Sequence, residues 1–307
     1  MMRSVKRAWC LIAATAIAPI ALALASCGSR KRPLLPPNVV TLEGESTILP
    51  RLSREAALPA VPAKASHLEM IDVGGRTRRY LLVDVVPSDH PIPLVLVFHG
   101  DGGDASGFHR AFPFELASGD DAVVAYPDGP YKWDLESKTH NQDIAFVEAL
   151  IHALEARYSI DPARVFFSGY SSGGFFSNMF ACQKSSLVRA IASNAGGAPY
   201  QQELTWPNGY TRCPGQAPVA TMALHGALDF GVTIDSGRFS ATYWSHVNGC
   251  QADAMETTGY KECRAMRGCP KDKPVVFCEI PTLGHWVWDR AAEASWSFFR
   301  SLPRVQP

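Results

Sequence analysis

In this chain of 307 residues, the segment Gly169-Tyr170-Ser171-Ser172-Gly173 holds the side chains best suited to covalent chemistry. Small residues on either side of a serine let the backbone turn sharply, and a sharp turn between a strand and a helix exposes one hydroxyl. The flanks fit that geometry. Arg164-Val165-Phe166-Phe167 is a short apolar run of strand-forming residues, and Gly174 to Ala181 can continue as a helix. Ser171 has glycine two residues away on both sides, whereas Ser172 has it on one side only. A serine hydroxyl is a weak nucleophile at neutral pH, so Ser171 needs a base, and the base needs an acid to orient it.

Both candidates follow in the chain. Pro218 to Leu224 reads as a buried strand that delivers His225-Gly226-Ala227-Leu228-Asp229. Pro274 to Ile280 reads as another, followed by Pro281-Thr282-Leu283-Gly284-His285-Trp286. Asp229 is the expected acid, with Asp235 and Asp253 as alternatives in the same region, and His285 is the expected base. The imidazole would take the serine proton during attack and return it to the leaving group, while the carboxylate holds the required tautomer. The gaps between the three, roughly 60 residues each, leave room for one further βα unit and a loop. Upstream, the apolar run Pro93 to Phe98 delivers the glycine-rich turn His99-Gly100-Asp101-Gly102-Gly103. Backbone N–H groups there, together with that of Ser172, could cradle a developing oxyanion, with Asp101 or Gly102 as the second donor. His99 and Asp101 also have the chemistry of metal ligands. With no His-Glu-x-x-His and no paired Cys-x-x-Cys in the chain, neither a metal nor a cofactor is expected.

These residues need a frame to hold them. His67 to Val73 and Arg78 to Val83 flank Gly74-Gly75, which predicts an antiparallel hairpin at a sheet edge. Strand-like and helix-like runs then alternate, and the best helix starts near Asn141 and ends before Asp161-Pro162. The alternation predicts an α/β domain, a mainly parallel sheet with helices on both faces. Lys plus Arg and Asp plus Glu both number 29, so net charge gives no case for nucleic acid or an anionic polymer as partner.

From about Met70 to Pro303 the chain resembles the secreted esterase family that includes feruloyl esterases, acetylxylan esterases and polyhydroxybutyrate depolymerases. The resemblance lies in Leu96 to Gly103, Tyr126-Pro127-Asp128-Gly129, Asp143 to Val147, Tyr158 to Val165, Gly169 to Gly174, His225 to Asp229 and Gly284-His285-Trp286. It implies an α/β-hydrolase fold and the roles nucleophile, acid and base for Ser171, Asp229 and His285. The expected substrate is a small or oligomeric ester, with feruloyl or acetyl esters of plant polysaccharide fragments foremost. Hydroxyalkanoate polyesters are the second expectation, and a non-catalytic, glycan-binding envelope lipoprotein is the reading of another class. Trp133, Tyr200, Trp206, Trp286 and Trp288 fall in loops or at element ends. Trp286, Trp133 and His99 are the candidates for lining the substrate site.

The N-terminus points to export. Arg3, Lys6 and Arg7 precede an apolar stretch, and Leu24-Ala25-Ser26-Cys27 resembles a lipobox, which implies a bacterial lipoprotein held to the membrane through Cys27 and facing the periplasm or cell exterior. The expected organisation is a signal segment over 1–27, a Pro-rich linker over 28–65 and a catalytic domain over 66–307. Of the eight cysteines, Cys10 lies in the signal region and Cys27 at the lipid site. The remainder predict three disulfides, expected here as Cys182–Cys213, Cys250–Cys278 and Cys263–Cys269. Oligomeric state has no sequence signal.

Overall fold

The structure, a computed structural model, describes residues 64–251 and 254–304. The expected signal segment, the lipid-site Cys27, almost all of the linker and the alternative acid Asp253 lie outside the described residues. The described part of the chain opens with the hairpin foreseen around Gly74-Gly75, β1 (Ser66–Val73) and β2 (Arg76–Val83), in antiparallel register. Both glycines have positive φ, 60° and 78°, which a non-glycine residue would adopt only at a steric cost.

Beyond the hairpin the chain alternates. It runs β3 (Ile92–Phe98), α1 (Ala105–Ala111), α2 (Glu115–Ser118), β4 (Val123–Asp128), α3 (Gln142–Arg157), β5 (Ile160–Tyr170), α4 (Ser172–Gln183) and β6 (Ala190–Asn194). The small pair β7 (Leu204–Thr205) and β8 (Thr211–Arg212) forms its own sheet before β9 (Ala220–Gly226) and α5 (Ile234–Asn248). The remainder is β10 (Met255–Thr257), β11 (Cys263–Met266), β12 (Val275–Ile280) and α6 (Ala291–Ser301). Helix α3 begins where Asn141 caps it, its side chain accepting from the N–H groups of Asp143 and Ile144.

One ten-stranded sheet runs β1-β2-β4-β3-β5-β6-β9-β12-β11-β10. The central pairs, from β4–β3 across to β9–β12, are parallel, and both edges are antiparallel. The antiparallel edge of β10 and β11 had no counterpart in the sequence reading. Strand β3 shows how the core divides. Leu94, Leu96 and Phe98 pack with α3, α4 and α5 on one face, while Val95 and Val97 pack with α1 and α6 on the other. This period of two, with apolar residues at every position, marks a strand buried on both faces.

Three disulfides brace the domain, and two of the expected pairings are corrected. Cys182–Cys213 is present as expected, but the other bridges are Cys250–Cys269 and Cys263–Cys278. The cause is register. Antiparallel pairing of β11 with β12 sets Cys263 directly opposite Cys278, so neither can reach the partner expected for it.

Candidate active site

The parallel strands deliver the site at their C-terminal ends. Strand β5 ends at Tyr170, and Ser171 takes φ 52° and ψ −120° before α4 begins at Ser172. A positive φ at a residue with a Cβ costs roughly 1–3 kcal/mol and must be imposed by the surroundings. Tight packing imposes it here. A Cβ on Gly169 would come within 2.2 Å of the Gly173 carbonyl oxygen, and one on Gly173 within 2.5 Å of the oxygens of Phe98 and His99. Strand β5, helix α4 and the end of β3 therefore meet as bare backbone, and the turn between them projects Ser171.

Asp229 follows β9 and His285 follows β12, neighbouring parallel strands. His285 Nε2 stands 3.0 Å from Ser171 Oγ, and its Nδ1 stands 2.8 Å from Asp229 Oδ2. A carboxylate accepts only, so Nδ1 carries the proton and Nε2 turns its lone pair toward the serine. The other carboxylate oxygen, Oδ1, accepts from the N–H groups of Gly231 and Val232, each at 2.9 Å. Burial alone would raise the Asp229 pKa, but the hydrogen bonds from His285 and the Val232 N–H outweigh it and hold the carboxyl below its usual range. Asp235, the described alternative acid, instead pairs with Arg238 on α5. Tyr170 ties down the backbone of His285, its hydroxyl donating to the His285 carbonyl oxygen at 2.9 Å. Burial, with Asp229 nearby, raises that phenol to about 12, so it stays a donor at neutral pH.

The glycine-rich turn after β3 lies against the elbow, and a Cβ on Gly100 would come within 2.9 Å of the Tyr170 ring. Its two candidate donors differ. The Gly102 N–H is spent on the Tyr131 carbonyl oxygen at 2.7 Å. Neither the Asp101 N–H nor the first-turn N–H of Ser172 has a backbone acceptor among the described residues.

His99 and Trp133, expected to line the substrate site, are both buried. His99 is buried, its Nδ1–H donating to the Gly100 carbonyl at 2.8 Å while Nε2 accepts from the Gly129 N–H at 3.0 Å. Trp133 is 1% exposed, stacks on Phe176 and donates from Nε1 to the His99 carbonyl at 2.9 Å. Both hold the glycine-rich turn from behind, and their polar atoms are already satisfied. Trp286 is the exception, 47% exposed and set edge-on to Tyr170. Leu228 and Phe230, which bracket Asp229, are also exposed, Phe230 at 90%, and sequence reading overlooked both. A cleft of about 620 Å³ opens beside Asp101, with Arg76, Lys132, Trp133, Glu136, Gln142 and Tyr200 among its walls. A larger groove of about 1240 Å³ lies between α5 and the strands β10 to β12 and includes Trp286; Ser171, Asp229 and His285 line neither the cleft nor the groove.

Comparison with known proteins returns esterases. No family model matches the chain. It is 25% identical over 246 residues to a probable feruloyl esterase C of Aspergillus niger, covering 74% of this chain and 84% of the relative. Against feruloyl esterase B of Piromyces equi it is 25% identical over 239 residues, 70% of this chain but 43% of the relative's length. In structure it resembles an acetyl xylan esterase from Aspergillus awamori, with a TM-score of 0.62 at 18% identity, covering 76% of this chain and 99% of the other. At that identity the likeness speaks for the fold.

Proposed function

We propose that this chain, whose sequence relatives and fold neighbours support an α/β-hydrolase esterase family, is a carboxylesterase that works through an acyl-Ser171 intermediate. The observation that carries the proposal is the unbroken line from Asp229 Oδ2 through His285 to Ser171 Oγ, with links of 2.8 and 3.0 Å. Ser171 Oγ attacks the ester carbonyl as its proton passes to His285 Nε2. The carbonyl oxygen, now negative, is met by the N–H groups of Ser172 and Asp101. Collapse of the tetrahedral adduct expels the alcohol, which takes the proton from His285. Water, deprotonated by the same imidazole, then releases the acid and restores Ser171. None of these steps needs a cofactor.

Feruloyl or acetyl esters of plant polysaccharide fragments fit the surroundings. Leu228, Phe230 and Trp286 present apolar surface next to the acid and the base, suited to an aromatic acyl group. The cleft beside Asp101, walled by charged side chains together with Trp133 and Tyr200, is of a size that suits a sugar. Export is supported by the three disulfides, which persist in oxidising compartments. Attachment through Cys27 rests on the Leu24-Ala25-Ser26-Cys27 sequence. The test is turnover of methyl ferulate, acetylated xylo-oligosaccharide and hydroxybutyrate oligomers by the protein and its Ser171→Ala variant. Hydrolysis of either of the first two, abolished in the variant, is expected. Preference for the hydroxybutyrate oligomers would overturn the substrate assignment.

A further inference from the structure

We infer that His225 is a positioning residue for Asp229: its Nε2–H holds the turn that aims the carboxylate at His285. The inference rests on the triad proposed above. His225 is 1% exposed and sits one residue before the C-terminal end of β9. Its Nε2 lies 2.8 Å from the Val232 carbonyl oxygen, an atom that can only accept, so Nε2 carries the proton. The same Nε2 lies 3.3 Å from Asp229 Oδ2, the oxygen that also receives His285 Nδ1–H. Val232 is thereby held at both ends of its backbone, by its N–H on Asp229 Oδ1 and by its C=O on His225. The carboxylate, the turn 229–232 and the imidazole form one closed set of contacts, in which no member can rotate without breaking a bond to another.

The far side of the ring shows that this contact is specific. His225 Nδ1 is buried with no hydrogen-bond partner among the described residues. It faces Gly237 of α5, where a Cβ would come within 2.5 Å of it. An apolar side chain would fill this space without leaving an acceptor unpaired, so the imidazole is a costly filler, and the contacts of Nε2–H offset that cost. Burial lowers the His225 pKa despite Asp229 nearby, which keeps the ring neutral and leaves the Asp229 charge to His285.

Three variants of the full chain test this: His225→Leu, which removes the donor, His225→Gln, whose amide can reach the position of Nε2, and His225→Asn, whose amide is too short. The readouts are kcat and KM for p-nitrophenyl acetate, the rate at which a fluorophosphonate labels Ser171, and the thermal midpoint. The expected result for Leu and Asn is a loss of about 10- to 100-fold in kcat and labelling rate, the scale of a small misplacement of catalytic groups. KM stays within about twofold, as for a group acting in the transition state, and Gln recovers most of the rate. Folded His225→Leu protein that labels at the wild-type rate would overturn the inference. If that variant does not fold, equal rates for Gln and Asn would overturn it. Wild-type protein that fails to label at all would instead refute the triad reading, a separable result.

Discussion

Replacing Asp229 by asparagine probes the orienting role of the carboxylate at nearly constant shape. The amide has two orientations. With its oxygen on the Gly231 and Val232 N–H groups, its NH₂ faces His285 Nδ1, which must then accept, and the proton moves to Nε2, facing Ser171. In that tautomer the imidazole cannot take the serine proton. The reverse orientation restores the tautomer but turns NH₂ onto two donors at 2.9 Å, against relief of one contact with His225 Nε2 at 3.3 Å. The net penalty is about one unsatisfied buried donor, roughly 1–3 kcal/mol. Loss of the negative charge opposite the developing imidazolium removes about another 1.5–3 kcal/mol. At 1.36 kcal/mol per tenfold, kcat falls by about 10²- to 10⁴-fold. The assay is steady-state hydrolysis of p-nitrophenyl acetate by folded protein, with KM measured alongside. A loss smaller than about tenfold would refute the reasoning, because it would mean that neither tautomer nor charge is controlled by this carboxylate.

Three further outcomes are expected. Cys263→Ala with Cys278→Ala opens a bridge of sequence separation 15, worth about 3 kcal/mol by loop entropy, so calorimetry should show a thermal midpoint lower by about 6–12 °C. Glu69 is held at a pKa of about 2: burial would raise it, but hydrogen bonds from Arg157, Tyr80 and His67 outweigh that. A carboxyl depressed in the folded state stabilises above its unfolded pKa, so the gap in thermal midpoint between wild type and Glu69→Gln should be full at pH 6 and close as pH falls through about 2. Trp133→Ala should cost about 3–5 kcal/mol in denaturant unfolding, whereas Trp286→Ala should cost less than about 1 kcal/mol and change KM instead.

Local rules carried the sequence reading far. The elbow at Ser171 was legible because its glycines answer a steric demand made within a few residues, and the hairpin and α3 were legible for the same reason. The positions of Asp229 and His285 followed from apolar strands ending where chemistry-bearing residues begin. Features set by distant pairing were hidden. Cysteine partners depend on the register of β11, four residues with no clear alternation, against β12. Trp133 falls in a loop between Lys132 and Asp134, and the stack on Phe176 that buries it comes from another part of the chain. The N–H groups of Asp101 and Gly102 differ by one hydrogen bond to Tyr131, about which spacing says nothing. His225 was visible within its motif, yet its role depends on a turn that closes only in three dimensions.

The central claim is that Ser171 is a nucleophile activated by His285. The most direct measurement is exposure of the folded, disulfide-intact protein to a fluorophosphonate, with the modified residue located by peptide mass spectrometry. A single adduct on Ser171, absent in Ser171→Ala and much slower to form in His285→Ala, is the predicted result. Folded protein that forms no adduct, or forms it at another serine, would contradict the account.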